Sequence, residues 1–426
     1  MSAKPQPQSA AKALTITPPR RALVGRVVPP GSKSITNRAL LLAALSKGTS
    51  RLTGALKSLD TKLMAAALRE MGVTVDEPDA TTFVVTSSGR LEKPDMPLYL
   101  GNAGTATRFL AAAVATIDGA VVIDGDEHMR KRPILPLLKS LADVGVSATS
   151  ETGCPPAVIY GTGRLKSGRV VIDAGLSSQY VSAMLMVAPH GDGPIEIALS
   201  DPEIDAIGYV DLTLAAMRAF GASVAPIGPG QWRIEPASYR ATDFVIEPDA
   251  SAATYLWAAE ILTGGAIDLG VKADAFTQPD ANARAVMEQF PRMPAVIDGS
   301  QMQDAVPTLA VLAAFNETAV RFTGIANLRV KECDRISAVA TELSRIRPGL
   351  GSEDGDDLIV AADPALAGQR LPARIETYSD HRIAMSFALA GLMIDGITIL
   401  DPDCVGKTYP EYWEALASLG VELSAE

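Results

Sequence analysis

The chain has 426 residues, 47% of them hydrophobic and 20% charged, and carries a formal net charge of −11 at pH 7. That length predicts two or three domains with cores of their own, and the acidic balance argues against a nucleic-acid binder. Three cysteines without a C-x-x-C pair and three histidines without ligand spacing argue against a disulfide framework and predict no metal site.

In chain order, residues 1–13 are rich in Ala, Pro, Gln and Lys and lack the apolar stretch of a signal peptide, so a disordered tail is expected there. No apolar run approaches the ~18 residues of a membrane span, and the chain reads as cytoplasmic. The first motif is Val27-Val28-Pro29-Pro30-Gly31-Ser32-Lys33-Ser34, continuing through Arg38 into the Ala/Leu run Ala39 to Leu45. It reads as a strand, a turn and a helix. A helix starting on serine presents unpaired N–H groups and a positive dipole end. With Lys33 and Arg38 beside it, such a start suits an anion. It is not a P-loop, which needs G-x-x-x-x-G-K-[ST].

The same device recurs five times. Leu98-Tyr99-Leu100-Gly101-Asn102-Ala103-Gly104-Thr105 leads into an Ala/Phe/Leu helix, and Val170 to Tyr180 leads into Met184-Leu185-Met186. Phe244 to Ser251, Val296 to Asp304 and Arg374 to Arg382 complete the set. After each apolar helix comes another short strand, as at Gly119 to Ile123 and Gly396 to Leu400. More amphipathic helices then follow, expected over Leu63 to Met71, Leu135 to Val144, Val210 to Phe220, Ala281 to Phe290, Ile336 to Leu343 and Tyr412 to Leu419. Units of roughly 50–80 residues are too long for a solenoid and suit two domains of three units each.

The fold class expected is therefore α/β, as a two-domain inside-out α/β barrel. Each domain consists of three strand-helix-strand-helix-strand repeats around buried helices. Residues 14–30 with 247–426 would form one domain and 31–246 the other, the starts of the buried helices converging on a cleft between them. Each charged turn taken singly reads as a solvated surface. Their common position in that cleft favours a small polyanion bearing phosphate and carboxylate. Asp304 and Glu332 are the acids available there for proton transfer.

These turns resemble the enolpyruvyl transferases, from about Leu14 to Leu419. The most specific stretches are Pro30 to Ser34, Leu100 to Ala106, Lys131 to Ile134, Ser177 to Gln179, Arg329 to Glu332, Asp380 to Arg382, and Lys407-Thr408. The resemblance implies the branch that joins phosphoenolpyruvate to shikimate 3-phosphate and releases phosphate, by addition and elimination through a tetrahedral intermediate. It implies no cofactor, no partner other than the two substrates, and a monomer. Ser34, Arg38, Ser177, Ser178, Gln179, Tyr209, Asp304, Asn327 and Lys331 would hold shikimate 3-phosphate. Lys33, Asn102, Gly104, Arg132, Gln179, Arg335, Arg382 and Lys407 would hold phosphoenolpyruvate. The resemblance makes Asp304 the base for the attacking hydroxyl, and gives the proton at the enol methylene to Glu332 with Lys33 or His381.

The sister branch acting on a UDP-sugar commonly has a catalytic Cys in the loop that is Asp126 to Arg132 here, and this loop has none. Thr107, Phe109, Ala206 and Leu328 depart from the residues better-known members carry. Gly104, Thr105 and Ala106 are kept, which implies that glyphosate competes with phosphoenolpyruvate.

Overall fold

The computed structural model describes residues 13–202 and 204–426. Of the tail expected over 1–13, all but Ala13 lies outside the described residues, and Ala13 opens a strand, Ala13–Thr17.

Among the described residues, twelve α-helices alternate between two environments. The odd-numbered ones are α1 (Lys33–Ala44), α3 (Gly104–Ala113), α5 (Gln179–Val187), α7 (Ala250–Thr263), α9 (Val306–Ala313) and α11 (His381–Gly391). They are apolar nearly all round, and every residue of α3, α9 and α11 is buried. The even-numbered ones are α2 (Leu59–Glu70), α4 (Leu135–Asp143), α6 (Gly208–Ala219), α8 (Ala283–Met287), α10 (Arg335–Ile346) and α12 (Tyr412–Ser418). These bury one face only, as an amphipathic period requires. Small side chains let the buried helices approach closely. α7, α9 and α11 meet through hydroxyls, with Thr254 to Thr308 and Thr308 to Ser386 each at 3.3 Å.

Each unit contributes a sheet. At α3, α5, α9 and α11 the strand before the buried helix pairs in parallel with the strand after it, as Leu98–Tyr99 does with Asp118–Asp124. Asp118–Asp124 then pairs antiparallel with Ala157–Thr162, which pairs with Ser147–Thr149. The unit thus closes with a hairpin where one strand was expected. Ser147–Thr149 is too short and polar to register as a separate strand in the sequence.

Three units depart from this plan: Ser46–Thr53, after α1, pairs in parallel with Tyr239–Arg240 and Phe244–Val245, and the N-terminus completes the other two. Ala13–Thr17 lies between Asp395–Leu400 and Glu422–Ala425, antiparallel to both. Val24–Arg26 pairs in parallel with Ala266–Asp268, and that sheet stops at two strands. The strand expected at Val27-Val28 thus sits just before them, where no proline interrupts it. The helix expected over Ala281 to Phe290 shrinks to α8, preceded by the 3₁₀ turn Pro279–Asn282.

The buried side chains form two cores, one running from Ile35 to Ile246, the other gathering Ile16 to Val27 with Ala252 to Val421. The two crossings between them lie side by side. Ser32 N donates to Glu247 O at 2.9 Å and Asp249 N to Pro30 O at 2.8 Å. Gly31 is required there, since a Cβ would lie 1.8 Å from Gly54 O. Among the described residues no helix is long and apolar enough to cross a membrane.

Candidate active site

The starts of all six buried helices border one cleft, contributing Lys33, Thr105, Gln179, Asp249, Asp304 and Arg382. Local capping sets these starts. Ser32 Oγ accepts from Ile35 N at 3.4 Å and donates to Gln278 Oε1 at 2.8 Å, joining α1 to the opposite domain. Asp249 caps α7 through Ala252 N at 3.0 Å, and its other oxygen accepts from Lys33 N at 3.1 Å. One carboxylate therefore ties the first turns of two helices from two domains.

The cleft divides into two adjoining chambers. The first is lined by Ser34, Arg38, Ser178, Tyr209, Asn327 and Ala206 among others. The second is lined by Gly104, Arg108, Arg132, Glu332 and Arg335 among others. Lys33, Thr105, Ser177, Gln179, Asp304, Lys331 and Arg382 border both. In the second chamber six cations (Lys33, Arg108, Arg132, Lys331, Arg335, Arg382) face three carboxylates (Asp60, Asp304, Glu332), so the wall carries excess positive charge. Buried Nε atoms of Arg108, Arg132 and Arg382 have no partner among the described residues, and neither does Asn327 Oδ1. Buried unpaired donors are costly, and an anionic ligand with several acceptor oxygens would relieve that cost.

Arg335 is the hub of the second chamber. Its guanidinium, 2% exposed, binds Asp380 Oδ2 at 2.8 Å, Glu332 at 2.7 Å and Asp304 at 2.9 Å. Arg382 holds the other oxygen of Asp304 at 2.7 Å. Burial alone would raise the Asp304 carboxyl, but Arg382, Arg335, Lys331 and Lys33 outweigh it and hold the group below the usual carboxylate range. Glu332 follows the same pattern: burial opposes its charge, while Lys407 at 2.9 Å, Arg132 at 3.6 Å and Arg335 depress it well below the ordinary value. Lys331 is shifted against its charged form, burial lowering it to about 8.

In the first chamber Arg38 is buried without a bonded carboxylate. It donates to Thr213 Oγ1 at 2.7 Å, Ser34 O at 3.0 Å, Ser182 Oγ at 3.2 Å and Tyr209 O at 3.0 Å. Burial lowers it to about 10. Phe109 lies beneath it, the guanidinium carbon 5.2 Å from the ring centroid. Phe109 and Thr107 therefore face the helix core, and neither lines a chamber. Leu328 is also buried away from both, whereas Ala206 lines the first chamber at a φ of 55°.

Three expected site residues stand behind the walls. Lys407 donates to Asn102 O at 2.7 Å, and Arg132 to Asn102 Oδ1 at 3.1 Å, so Asn102 and Lys407 set the posture of Arg132 and Glu332. His381 is fully buried at the start of α11, lines neither chamber, and has no hydrogen bond to either ring nitrogen among the described residues. Burial, and then Arg382 and Lys33, push it well below the ordinary histidine value, so its ring is neutral. Among the described residues no group of three or more His, Cys, Asp or Glu is placed to hold a metal ion.

Arg108 and Asp249 line the chambers without having been singled out for either ligand. Arg108 lies one helical turn beyond Gly104 and donates to Gln179 Oε1 at 2.9 Å. Its signal in the sequence was a lone arginine inside an otherwise apolar helix.

The family described as EPSP synthase (3-phosphoshikimate 1-carboxyvinyltransferase) matches residues 17–293 and 272–416. A 3-phosphoshikimate 1-carboxyvinyltransferase of Rhizobium leguminosarum bv. trifolii (strain WSM2304) is 70% identical over 408 residues, 96% of this chain and 97% of that protein. One from Pseudomonas savastanoi pv. phaseolicola (strain 1448A / Race 6) is 68% identical over 410 residues, 96% of this chain and 98% of its own. Among solved structures, EPSP synthase from Acinetobacter baumannii superposes with a TM-score of 0.78 at 26% identity, covering 97% of this chain and 100% of that one.

Proposed function

The chain belongs to the EPSP synthase family, and from that premise we propose how it moves the enolpyruvyl group of phosphoenolpyruvate onto the 5-hydroxyl of shikimate 3-phosphate. It catalyses this enolpyruvyl transfer in the shikimate pathway. The observation that carries the assignment of sites is the pair of chambers meeting at Asp304 and Lys33. The first, with its serines, Arg38, Tyr209, Asn327 and Lys331, takes shikimate 3-phosphate. The second, with Arg132, Arg335 and Arg382, takes the phosphate and carboxylate of phosphoenolpyruvate. Gln179 and Lys33 border both ligands. Gly104 leaves room for the Arg132 guanidinium, since a Cβ would lie 2.8 Å from its carbon.

Asp304 is ionised and lies where the two ligands meet, so it takes the proton from the attacking hydroxyl. The hydroxyl oxygen adds to C2 of phosphoenolpyruvate while C3 gains a proton, giving a tetrahedral intermediate. Loss of a C3 proton and expulsion of phosphate then restore the double bond in the product. Glu332 serves C3, with Lys33 beside it. Lys407, Arg132 and Arg335 hold Glu332 ionised. Bound phosphoenolpyruvate gives Arg132 and Arg335 other anions to neutralise, and the carboxyl rises toward a value at which it can donate. His381, neutral and behind the wall, acts through Glu332.

Each domain is read as three repeats wrapped around buried helices, an inside-out barrel, with domains at 14–30 plus 247–426 and at 31–246. The two cores and the paired crossings support that division. Both chambers are completed within one chain, which supports a monomer, and the cytoplasm suits its phosphorylated substrates. The test is phosphate release from phosphoenolpyruvate with and without shikimate 3-phosphate. Release only when both are present is expected; release with a UDP-sugar instead, or none, would overturn the reading.

A further inference from the structure

Asp280 is fully buried in the turn Pro279–Asn282, lines neither chamber, and has no hydrogen-bonded cation among the described residues. Its Oδ2 accepts from the Tyr209 hydroxyl and, at 3.0 Å, from Ser251 Oγ, while Oδ1 is buried with no partner. Tyr209 belongs to the other domain, and both hydroxyl-bearing residues line the first chamber. A carboxylate held away from water with no cation bonded to it is destabilising in itself, so its place behind this wall calls for a functional account.

The segment carrying Tyr209 is strapped across the cleft at several points. Ala206 N donates to Ser300 O at 2.8 Å and Ile207 N to Gln301 Oε1 at 3.0 Å. Gln301 Nε2 returns a bond to Ile204 O at 3.2 Å. Tyr209 in turn touches Arg38 twice, through its carbonyl at 3.0 Å and through its ring at 5.9 Å.

We propose that Asp280 is a positioning residue for the shikimate 3-phosphate chamber, fixing the Tyr209 ring in the wall through a hydrogen bond that exists only while the two domains are together. The Tyr209 hydroxyl has one proton, and it is donated in the hydrogen bond to Asp280. The hydroxyl therefore works through Asp280, and the ring is what meets the ligand. Binding of shikimate 3-phosphate against that ring and closure of the cleft are thereby coupled. This inference rests on the reading of the first chamber given above.

The test is a double-mutant cycle on the full chain, using Asp280→Ala and Tyr209→Phe and measuring kcat and both KM values. Each single variant is expected to raise the KM for shikimate 3-phosphate roughly tenfold, the usual scale for a hydrogen bond to a charged group. The KM for phosphoenolpyruvate and kcat should change far less. The double variant should be no worse than either single one, and Asp280→Asn, which keeps an acceptor oxygen, should recover most of the loss. An unchanged KM for shikimate 3-phosphate, or effects that multiply, overturns the proposal. If Asp280→Ala does not fold, Tyr209→Phe and Asp280→Asn decide, since the first removes only the bond and the second keeps it. A wild-type enzyme that does not require shikimate 3-phosphate would instead overturn the chamber assignment, and that control is run first.

Discussion

Asp304 accepts from Arg382 at 2.7 Å with one oxygen and from Arg335 at 2.9 Å with the other, and it stands where the two chambers meet. Two guanidiniums on one carboxylate keep it charged, which is the state the proposed base requires. Asp304→Ala should lower kcat by roughly 10²–10⁴, the usual worth of general acid–base catalysis. Steady-state rates at saturating substrates check this, and an unchanged kcat would remove Asp304 from the proton transfer.

Gly104 and Arg132 are in contact by design of the backbone. Arg132 is pinned by Asn102 and Glu332, so a methyl group 2.8 Å from its guanidinium carbon must displace the guanidinium. Gly104→Ala should raise the KM for phosphoenolpyruvate by roughly 10- to 100-fold, the loss of one charge-assisted contact. Arg132→Ala should do the same, and the two should not be additive. A KM for phosphoenolpyruvate that stays put in Gly104→Ala would show that Arg132 has room to move.

Lys331 titrates near 8 because burial disfavours its charge. In the proposed role its cation binds the substrate anion, and that cation is present below this pH and lost above it. In the free enzyme kcat/KM for shikimate 3-phosphate should fall as pH rises through about 8. Lys331→Arg should move that limb upward by at least one unit or so, because arginine keeps its charge. A profile with the same alkaline limb in both enzymes would assign it to another group.

Asp280 makes a prediction on stability. Burial, and then Asp304, raise its carboxyl to about 6, above the model-peptide value. Between the unfolded and folded values the native state binds the extra proton, so stability falls as pH rises through that window. Asp280→Asn should therefore be more stable than wild type at pH above about 7, by on the order of 1–3 kcal/mol, and the advantage should shrink below about pH 5. Thermal midpoints of both proteins across that range test it, and a pH-independent difference would contradict the assignment.

Much of the architecture was legible because its causes are local. A strand, a capped polar turn and a small-residue apolar helix recur at each unit, and hydrophobic period and capping chemistry act within a few residues. Ser32, Asp249 and Asp380 cap the helices that follow them. The cationic character of the cleft was legible for the same reason, since its side chains sit on or beside those turns. What only the tertiary structure decided is which charge meets which. Arg335 reaches Asp304, Glu332 and Asp380 at once, and Coulomb interactions depend on distances that sequence separation does not carry. Only packing puts His381 behind the wall, and Asp280 has no motif until Tyr209 arrives from the other domain. The N-terminal strand shows the same limit: Ala13–Thr17 has an ordinary strand pattern, but only long-range pairing places it between Asp395–Leu400 and Glu422–Ala425.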